Sequence, residues 1–497
     1  MPAGVLQLLP GNGETVGAQL TRDPRVRGVM FTGSTAVATL LQRNLAGRLD
    51  PQGRPTPLIA ETGGLNAMIV DSSALTEQVV VDILASAFDS AGQRCSALRL
   101  LCIQEDVADH TLKMLRGAMA ECRMGNPERL STDIGPVIDA EAKAGIERHI
   151  QEMRNKGNTV YQAVQDNPQD RSEWQSGTFI KPTLIEINQV SDLDKEIFGP
   201  VLHVVRFARN ALPQLIEQIN AGGYGLTLGV HTRIDETIAQ VTANAKVGNL
   251  YVNRNMVGAV VGVQPFGGEG LSGTGPKAGG PLYLYRLLAS RPEEALSTTF
   301  NRQDAERPAD GTLREALLVP HKALSAWAQQ DKPELAALCQ RYATLAQAGT
   351  VRLLTGPTGE RNTFSLLPRE QVLCLADNEQ DALVQLAAVT SVGSQALWPD
   401  DELHRKLRHE LPQTVQARIT LAKDYFASHF DAVIYHGDAD QLRTLCEQIA
   451  ARDGAIVSVQ GFARGETHLL LERLLIERSL SVNTAAAGGN ASLMTIG

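Results

Sequence analysis

The chain lacks the cysteine patterns that build metal sites and disulfide frameworks. Its six cysteines form no Cys-x-x-Cys pair and show no zinc-type spacing with histidine. They are scattered along the sequence at Cys95, Cys102, Cys122, Cys339, Cys374 and Cys446. Such usage is typical of a reducing compartment, so we expect free thiols and no metal site.

An excess of positive charge is also missing. The 46 Lys and Arg residues are outnumbered by 55 Asp and Glu residues, which leaves a formal net charge of −9. No basic cluster is interleaved with aromatic residues, and this argues against nucleic-acid contact by this portion of the molecule. The apolar runs are too short for a transmembrane segment, and no basic stretch followed by an apolar one opens the chain. We therefore expect a cytoplasmic protein.

The chain does contain short apolar runs that alternate with amphipathic segments, a pattern typical of α/β proteins with parallel sheets. Its 497 residues suggest two to four domains. Helices are predicted at 76–91, 104–120, 139–156, 211–220, 234–245 and 313–348. Strands are predicted at 5–9, 29–31, 57–61, 66–70, 98–103, 201–207, 226–231, 248–253, 351–355, 371–376, 432–435, 454–459 and 480–483. Polar residues at 162–176 and 291–312 predict a surface loop and a linker.

One internal similarity appears at an offset of 230 residues. Residues 212–221 and 442–451 are identical at six of ten positions, and Leu250, Val252 and Asn253 match Leu480, Val482 and Asn483 at the same offset. Chance similarity between amphipathic helices is the alternative, but agreement in a following strand favours duplication. The second copy has Ser325 where Cys95 would fall, which predicts a non-catalytic unit.

Cys95 follows a helix that is anchored by one apolar face. The anchoring side chains recur at helical spacing: Val80, Ile83, Leu84, Ala87 and Phe88. A Gly-Gln-Arg turn then presents Cys95, as a nucleophile that must be held rigidly would require. A buried structural cysteine is the equal alternative from this local pattern.

Four further motifs carry chemistry, each with a plain structural alternative. Phe31-Thr32-Gly33-Ser34 joins a strand to a helix and offers donors to a phosphate, or is an ordinary turn. Glu61 ends a strand before two glycines, or is a capping carboxylate. Glu196 and Phe198 could meet ribose and a flat ring, or form a turn with a buried ring. The stretches 265–268 and 272–280 are glycine-rich loops able to bind a carboxylate, or tight turns.

The order of these motifs closely resembles the aldehyde dehydrogenase superfamily over roughly residues 1–290. The resemblance implies that Cys95 is the nucleophile and Glu61 the general base. It implies that NAD is bound by a turn and a ribose motif, namely Phe31, Thr32, Gly33, Ser34, Glu196 and Phe198. In this scheme Cys95 forms a thioester, and Glu61 activates the water that hydrolyses it.

The residues after Cys95, the loop at 273–280 and the ending at 488–497 narrow the resemblance to long bacterial proline utilization A proteins. That resemblance implies oxidation of L-glutamate γ-semialdehyde to L-glutamate, the second step of proline catabolism. Ser96, Ala278 and Gly279 would hold the substrate's carboxylate. An upstream proline dehydrogenase domain of the same polypeptide would carry FAD, and a homo-oligomer is expected.

The implied fold is an aldehyde dehydrogenase fold followed by a second, degenerate unit of the same kind. Residues 1–63, with 264–290 returning to them, form part of a Rossmann-like cofactor domain. Residues 64–263 form the catalytic domain, 291–312 the linker, and 313–497 a non-catalytic domain.

We expect the isolated chain to have little activity, and two alternative functions stay open. The family's oxyanion Asn and adenosine-ribose Lys come from sequence upstream of the Phe31 turn and have no match here, so we expect weak or no turnover. A non-catalytic lid or oligomerisation module is the alternative function. Release of the thioester to coenzyme A is a further alternative, which a hydrolytic Glu61 disfavours.

Overall fold

The computed structural model describes residues 1–163, 177–288, 291–292, 295–296 and 311–485. Most of the predicted loop at 162–176, most of the predicted linker at 291–312 and the ending at 488–497 lie outside the described residues. The described helices are α1 (Ala18–Arg22), α2 (Thr35–Ala46), α3 (Thr76–Phe88), α4 (Glu105–Glu121), α5 (Ala140–Asn155), α6 (Leu212–Ala221), α7 (Asp235–Asn244), α8 (Tyr283–Leu287), α9 (Gly311–Asp331), α10 (Pro333–Leu345), α11 (Glu379–Val392), α12 (Glu402–Glu410), α13 (Gln413–Gln416) and α14 (Ala439–Ala451).

The strands alternate with these helices, as an α/β fold requires. They are β1 (Val29–Thr32), β2 (Leu58–Glu61), β3 (Ala67–Val70), β4 (Leu100–Gln104), β5 (Thr159–Gln162), β6 (Thr183–Glu186), β7 (Val201–Phe207), β8 (Tyr224–Gly225), β9 (Thr227–His231), β10 (Asn249–Val252), β11 (Glu269–Gly270), β12 (Val351–Leu354), β13 (Glu360–Pro368), β14 (Gln371–Leu375), β15 (Gln395–Pro399), β16 (Ile419–Ala422), β17 (Ala432–His436), β18 (Ser458–Phe462) and β19 (Leu475–Asn483).

A ten-stranded sheet forms the centre of the molecule, in the order β12-β13-β19-β10-β9-β3-β4-β7-β6-β5. Neighbours from β19 to β6 pair in parallel, whereas β12, β13 and β5 pair antiparallel. Every residue of β3 is buried, and alternate side chains enter the cores on opposite faces of the sheet. Burial on both faces explains why the middle strands are continuous apolar runs.

A second sheet of five parallel strands has the order β16-β15-β14-β17-β18. Numbered along the chain, this order is 3-2-1-4-5, the doubly wound arrangement of Rossmann-like folds. The middle of the ten-stranded sheet, β7-β4-β3-β9-β10, repeats the same order. The two units therefore share one strand order, in agreement with the predicted second α/β unit.

The alignment at an offset of 230 residues is wrong about which elements correspond. It matches α6, between the third and fourth strands of the first unit, with α14, between the fourth and fifth strands of the second. The matched strands β10 and β19 are instead neighbours in one sheet, with Leu250 beside Leu480. Ser325 lies within α9, and the true counterpart of the Cys95 loop is the short connection 393–394.

The predicted boundary at residue 313 does not separate the two sheets, because strands after that residue belong to both of them. The strands β12, β13 and β19 fall within the predicted domain 313–497, yet they extend the ten-stranded sheet. The helix α2 also packs on α14, where the Arg43 side chain donates to the carbonyl of Ala450 at 3.2 Å. The remaining domain divisions stay predictions.

Several local predictions were wrong for identifiable reasons. Residues 5–9 form no strand, since no described strand pairs with them and their large side chains are exposed. The helix expected at 313–348 is two helices, because Pro333 has no N–H to continue the first. The strand expected at 454–459 begins at Ser458, after Gly454 with φ of 101°. The strands β5, β6, β8, β11, β13, β15 and β16 were not predicted.

Candidate active site

The loop that carries Cys95 has an unusual backbone. After α3 ends, Ser90, Ala91 and Gly92 all have positive φ, at 56°, 54° and 66°. Such values are rare for residues other than glycine and persist where the surroundings enforce them. A Cβ on Gly92 would lie 2.2 Å from the carbonyl oxygen of Gly199. The glycine before Cys95 is therefore required by close packing of two backbones.

Asn66 fixes the backbone on either side of the nucleophile candidate. Its buried side-chain amide donates to the carbonyls of Cys95 at 2.7 Å and Ala97 at 2.8 Å. Its oxygen accepts from the amide of Thr227 at 3.1 Å. We predicted Asn66 only as the start of a strand, and its local sequence gives no sign of this role.

The thiol of Cys95 is half-buried and faces negative charge. Burial raises its pKa, and the carboxylates of Glu196 and Glu61 raise that pKa further. Both predicted acidic site residues therefore lie within electrostatic reach of the thiol. The surroundings favour a neutral thiol until a substrate or a positive charge enters the site.

Glu61 lies at the carboxyl end of β2, where its side chain is 9% exposed. One carboxylate oxygen accepts from the amide of Gly268 at 3.0 Å, and the other has no hydrogen-bond partner among the described residues. A Cβ on Gly267 would lie 2.7 Å from that second oxygen. The glycine pair of the stretch 265–268 thus makes room for Glu61. Burial raises the pKa of Glu61, as a proton acceptor working near neutral pH requires.

Glu196 is held by Arg99, a residue that sequence reasoning missed. The guanidinium of Arg99 is 1% exposed and donates to Glu196 at 2.9 and 3.2 Å. It also donates to the carbonyls of Gly199 and Arg94, both at 3.1 Å. A lone cation within the apolar run from Ala97 to Cys102 was the signal that could have found it.

The space around Glu196 is closely filled. A Cβ on Gly63 would lie 1.8 Å from the second carboxylate oxygen of Glu196. The backbone amide of Gly64 donates a hydrogen bond that lowers the pKa of Glu196, although burial raises it by more. The two glycines after Glu61 therefore give Glu196 its room and one of its donors.

The predicted cofactor turn lies beside Glu61. Thr32 pairs with Glu61 across β1 and β2, and the amide of Gly33 donates to the Glu61 carbonyl at 3.1 Å. Ser34 caps the twelve-residue helix α2 by accepting from the amide of Val37 at 3.3 Å. Thr32, Gly33 and Ser34 are exposed, whereas Phe31 is half-buried. An exposed turn at a helix N-terminus fits a phosphate group.

Phe198 lies beside Arg99, the ionic partner of Glu196. Its ring is 46% exposed, and the guanidinium of Arg99 lies 5.3 Å from the ring centroid. The partly exposed carboxylate of Glu196 keeps acceptor capacity for ribose hydroxyls. The residues predicted to hold NAD thus offer a phosphate donor turn, a hydroxyl acceptor and an exposed ring.

The predicted carboxylate-binding residues occupy two separate segments. Ser96 is buried, and its carbonyl accepts from the hydroxyl of Thr227 at 3.4 Å. Ala278 exchanges two backbone hydrogen bonds with Phe266, at 2.8 and 2.9 Å. Gly279 is exposed with φ of 69°. The amide of Ala278 is therefore already engaged, and the amide of Ser96 donates to the Cys95 thiol, which leaves the Ser96 hydroxyl and the Gly279 amide as the candidate donors.

The fold and this geometry define a doubly wound α/β protein in which one thiol and two carboxylates converge beside an exposed helix N-terminus. The aldehyde dehydrogenase family profile matches residues 1–291, and the chain belongs to that family.

Three known proteins are similar to this chain. The bifunctional protein PutA of Escherichia coli (strain K12) is 77% identical over all of this chain, which spans 38% of that relative. The structure of a 1-pyrroline-5-carboxylate dehydrogenase from Thermus with bound NAD is 35% identical, with a TM-score of 0.52, over 57% of this chain and 54% of that one. Proline utilization A from Corynebacterium freiburgense, at 23% identity, shares the fold over 96% of this chain and 44% of that one, with a TM-score of 0.69.

None of the helices in the described part of the chain is both long and apolar enough to cross a membrane.

Proposed function

We propose that the chain oxidises L-glutamate γ-semialdehyde, the open form of 1-pyrroline-5-carboxylate, to L-glutamate with NAD. The observation that carries this proposal is the convergence of Cys95 with Glu61, which has one buried carboxylate oxygen without a hydrogen-bond partner among the described residues. Similarity to PutA and to 1-pyrroline-5-carboxylate dehydrogenase supports this choice of aldehyde.

The chemistry begins at the Cys95 sulfur. The sulfur attacks the aldehyde carbon while the thiol proton is transferred to the aldehyde oxygen, and a hemithioacetal forms. Bound NAD supplies the hydride acceptor, and a thioester on Cys95 remains. Glu61 then takes a proton from a water whose oxygen attacks the thioester carbon. The C–S bond breaks, L-glutamate leaves, and Cys95 regains its proton.

Two groups of residues position the reactants. The turn and the ribose motif hold NAD through Phe31, Thr32, Gly33, Ser34, Glu196 and Phe198. A second group holds the α-carboxylate of the substrate: Ser96 and Gly279 donate to it, and Ala278, through its backbone hydrogen bonds with Phe266, fixes the loop that presents Gly279. Donors for a carboxylate favour an amino-acid aldehyde over an alkyl aldehyde.

The setting of the module is part of the proposal. Because the chain spans 38% of the bifunctional PutA of Escherichia coli, we propose that it works with an upstream proline dehydrogenase domain that carries FAD. We also propose a cytoplasmic homo-oligomer.

The decisive test compares Cys95→Ala with Cys122→Ala. Cys122 is also a half-buried free thiol, but it lies at the C-terminal end of α4. In the complete enzyme, with glutamate semialdehyde and NAD, we expect NADH formation to be lost in Cys95→Ala and kept in Cys122→Ala. Retention of NADH formation in Cys95→Ala would overturn the assignment.

The same assay separates the alternatives. Free glutamate as the product supports hydrolysis by Glu61, whereas an acyl-CoA product would replace it with transfer to coenzyme A. A non-catalytic module predicts that substrate aldehyde gives Cys95 no protection against alkylation. Protection of Cys95 and not of Cys122 supports the enzyme.

A further inference from the structure

The C-terminal strand β19 places a carboxylate against the loop that surrounds the general-base candidate. One oxygen of Glu477 accepts from the backbone amide of Lys277 at 2.7 Å. The other oxygen is buried, with no hydrogen-bond partner among the described residues. Gly280 packs closely against this second oxygen, since a Cβ on Gly280 would lie 3.2 Å from it. A residue from the far end of the chain thus holds the stretch 272–280.

The side chain of Lys277 links the stretch 272–280 to the backbone beside Glu61. Its side chain is 2% exposed, and its ammonium donates to the side-chain oxygen of Asn249 at 2.7 Å and to the carbonyl of Gly267. The amide of Gly268, the next residue, donates to Glu61 at 3.0 Å. Glu477, Lys277 and the peptide 267–268 therefore form a chain of hydrogen bonds that ends on Glu61.

Charges around this chain act on Glu61 with opposite signs. Lys277 lowers the pKa of Glu61, and Glu477 raises it. Cys95 and Tyr283 also face Glu61, and Glu61 raises the pKa of both. Glu269 and Arg478 stand behind Lys277, 3.7 Å apart. Since burial disfavours every charge in this group, loss of either central residue changes the protonation of the others.

We propose that Lys277 and Glu477 are positioning residues for Glu61, and that they hold and tune it for hydrolysis of the Cys95 thioester. The geometry carries this inference, which rests on the proposed function. Neither residue touches the reacting atoms, because Lys277 acts through the peptide 267–268 and Glu477 acts through the Lys277 backbone.

The test isolates the hydrolysis step and needs no NAD. The ester p-nitrophenyl acetate acylates a thiol directly and releases p-nitrophenolate, so a burst reports acylation of Cys95. The steady rate after the burst reports hydrolysis of the thioester by water. The variants are Lys277→Met and Glu477→Gln. The control is Lys246→Met, which breaks an exposed ion pair with Glu370.

We expect all variants to keep the burst, which shows that the Cys95 loop is folded. Lys277→Met should lower the steady rate by about 10- to 100-fold, the cost of a displaced catalytic group. The steady rate falls at acid pH as Glu61 takes up a proton, and we call this part of the pH–rate profile the acid limb. The acid limb of Lys277→Met should move to higher pH, because a charge that lowers the pKa of Glu61 is gone. Glu477→Gln keeps an acceptor for the Lys277 amide, and its acid limb should move to lower pH.

The opposite pH shifts distinguish tuning of Glu61 from a purely structural role. If both limbs stay in place, or if both variants hydrolyse the thioester at the rate of Lys246→Met, the inference is overturned. If the wild-type protein gives no burst, acylation of Cys95 fails, and the proposed function falls together with the inference.

Discussion

Removing the Arg99 side chain should destabilise the protein more than removing any surface arginine. Arg99 is almost fully buried, and Glu196, with a side chain 15% exposed, is its ionic partner. Deleting one member of a buried pair leaves the other charge uncompensated, which typically costs 3–5 kcal/mol. Arg99→Met should therefore lower the free energy of unfolding by about 3–5 kcal/mol at pH 8.

The pH dependence of this loss follows from Glu196. Arg99 lowers the pKa of Glu196 against the effect of burial, so the variant has a higher folded-state pKa at this carboxyl. A carboxyl whose folded pKa is raised costs stability above that pKa, and the cost disappears as the pH falls and the group takes up a proton. The penalty of Arg99→Met should therefore be smaller near pH 5 than near pH 8.

Urea unfolding followed by circular dichroism measures the effect. The matched control is Arg206→Met, because Arg206 pairs with Asp109 and Glu186 at a site 40% exposed and should cost only about 0–1 kcal/mol. The double variant Arg99→Met with Glu196→Gln should recover part of the loss, because no charge then remains unpaired. A loss as small as that of the control, with no recovery in the double variant, would refute this reasoning.

Two further predictions concern the neighbours of Glu196. Gly63→Ala should displace the Glu196 carboxylate, since the new methyl would lie 1.8 Å from it. We therefore expect weaker NAD binding in a titration. The control is Gly117→Ala, because a Cβ on Gly117 would meet open space. Unchanged NAD affinity in Gly63→Ala would contradict the close packing. Glu196→Gln removes a charge that raises the pKa of Cys95. The pH profile of Cys95 alkylation by iodoacetamide should therefore move to lower pH. A profile that stays in place would contradict the electrostatic effect of Glu196 on Cys95.

Local sequence patterns predicted most of the fold because burial on both faces of a parallel sheet leaves a readable signal. The strands β3, β4, β7, β9 and β10 are apolar runs between amphipathic helices, and each was predicted within two residues at either end. The strands that were missed have weaker patterns. In β13, for example, buried and half-buried residues alternate over most of the strand, and its sequence contains five polar or charged residues in nine.

The site was only partly predictable, because its supporting contacts join distant parts of the chain. Ordered motifs bring Cys95, Glu61 and Glu196 to notice, since each stands beside glycines or a turn. The partner of Glu196 is 97 residues away, and Glu477 is 200 residues from Lys277. No local pattern pairs such residues, and only the sheet topology brings them together.

The two units share one strand order, but the connection that carries Cys95 in the first unit has a much shorter counterpart in the second. In the first unit the residues between α3 and β4, at 89–99, have the length needed for a strained turn and a thiol. In the second unit the equivalent connection is Gly393 and Ser394 alone, and Gly393 has φ of 85°. A Cβ on Gly393 would lie 2.8 Å from Leu317, so the connection is also closely packed. This two-residue turn ends a helix and has no room for a loop like that of Cys95, and the second unit contributes β19, and with it Glu477, to the sheet of the first.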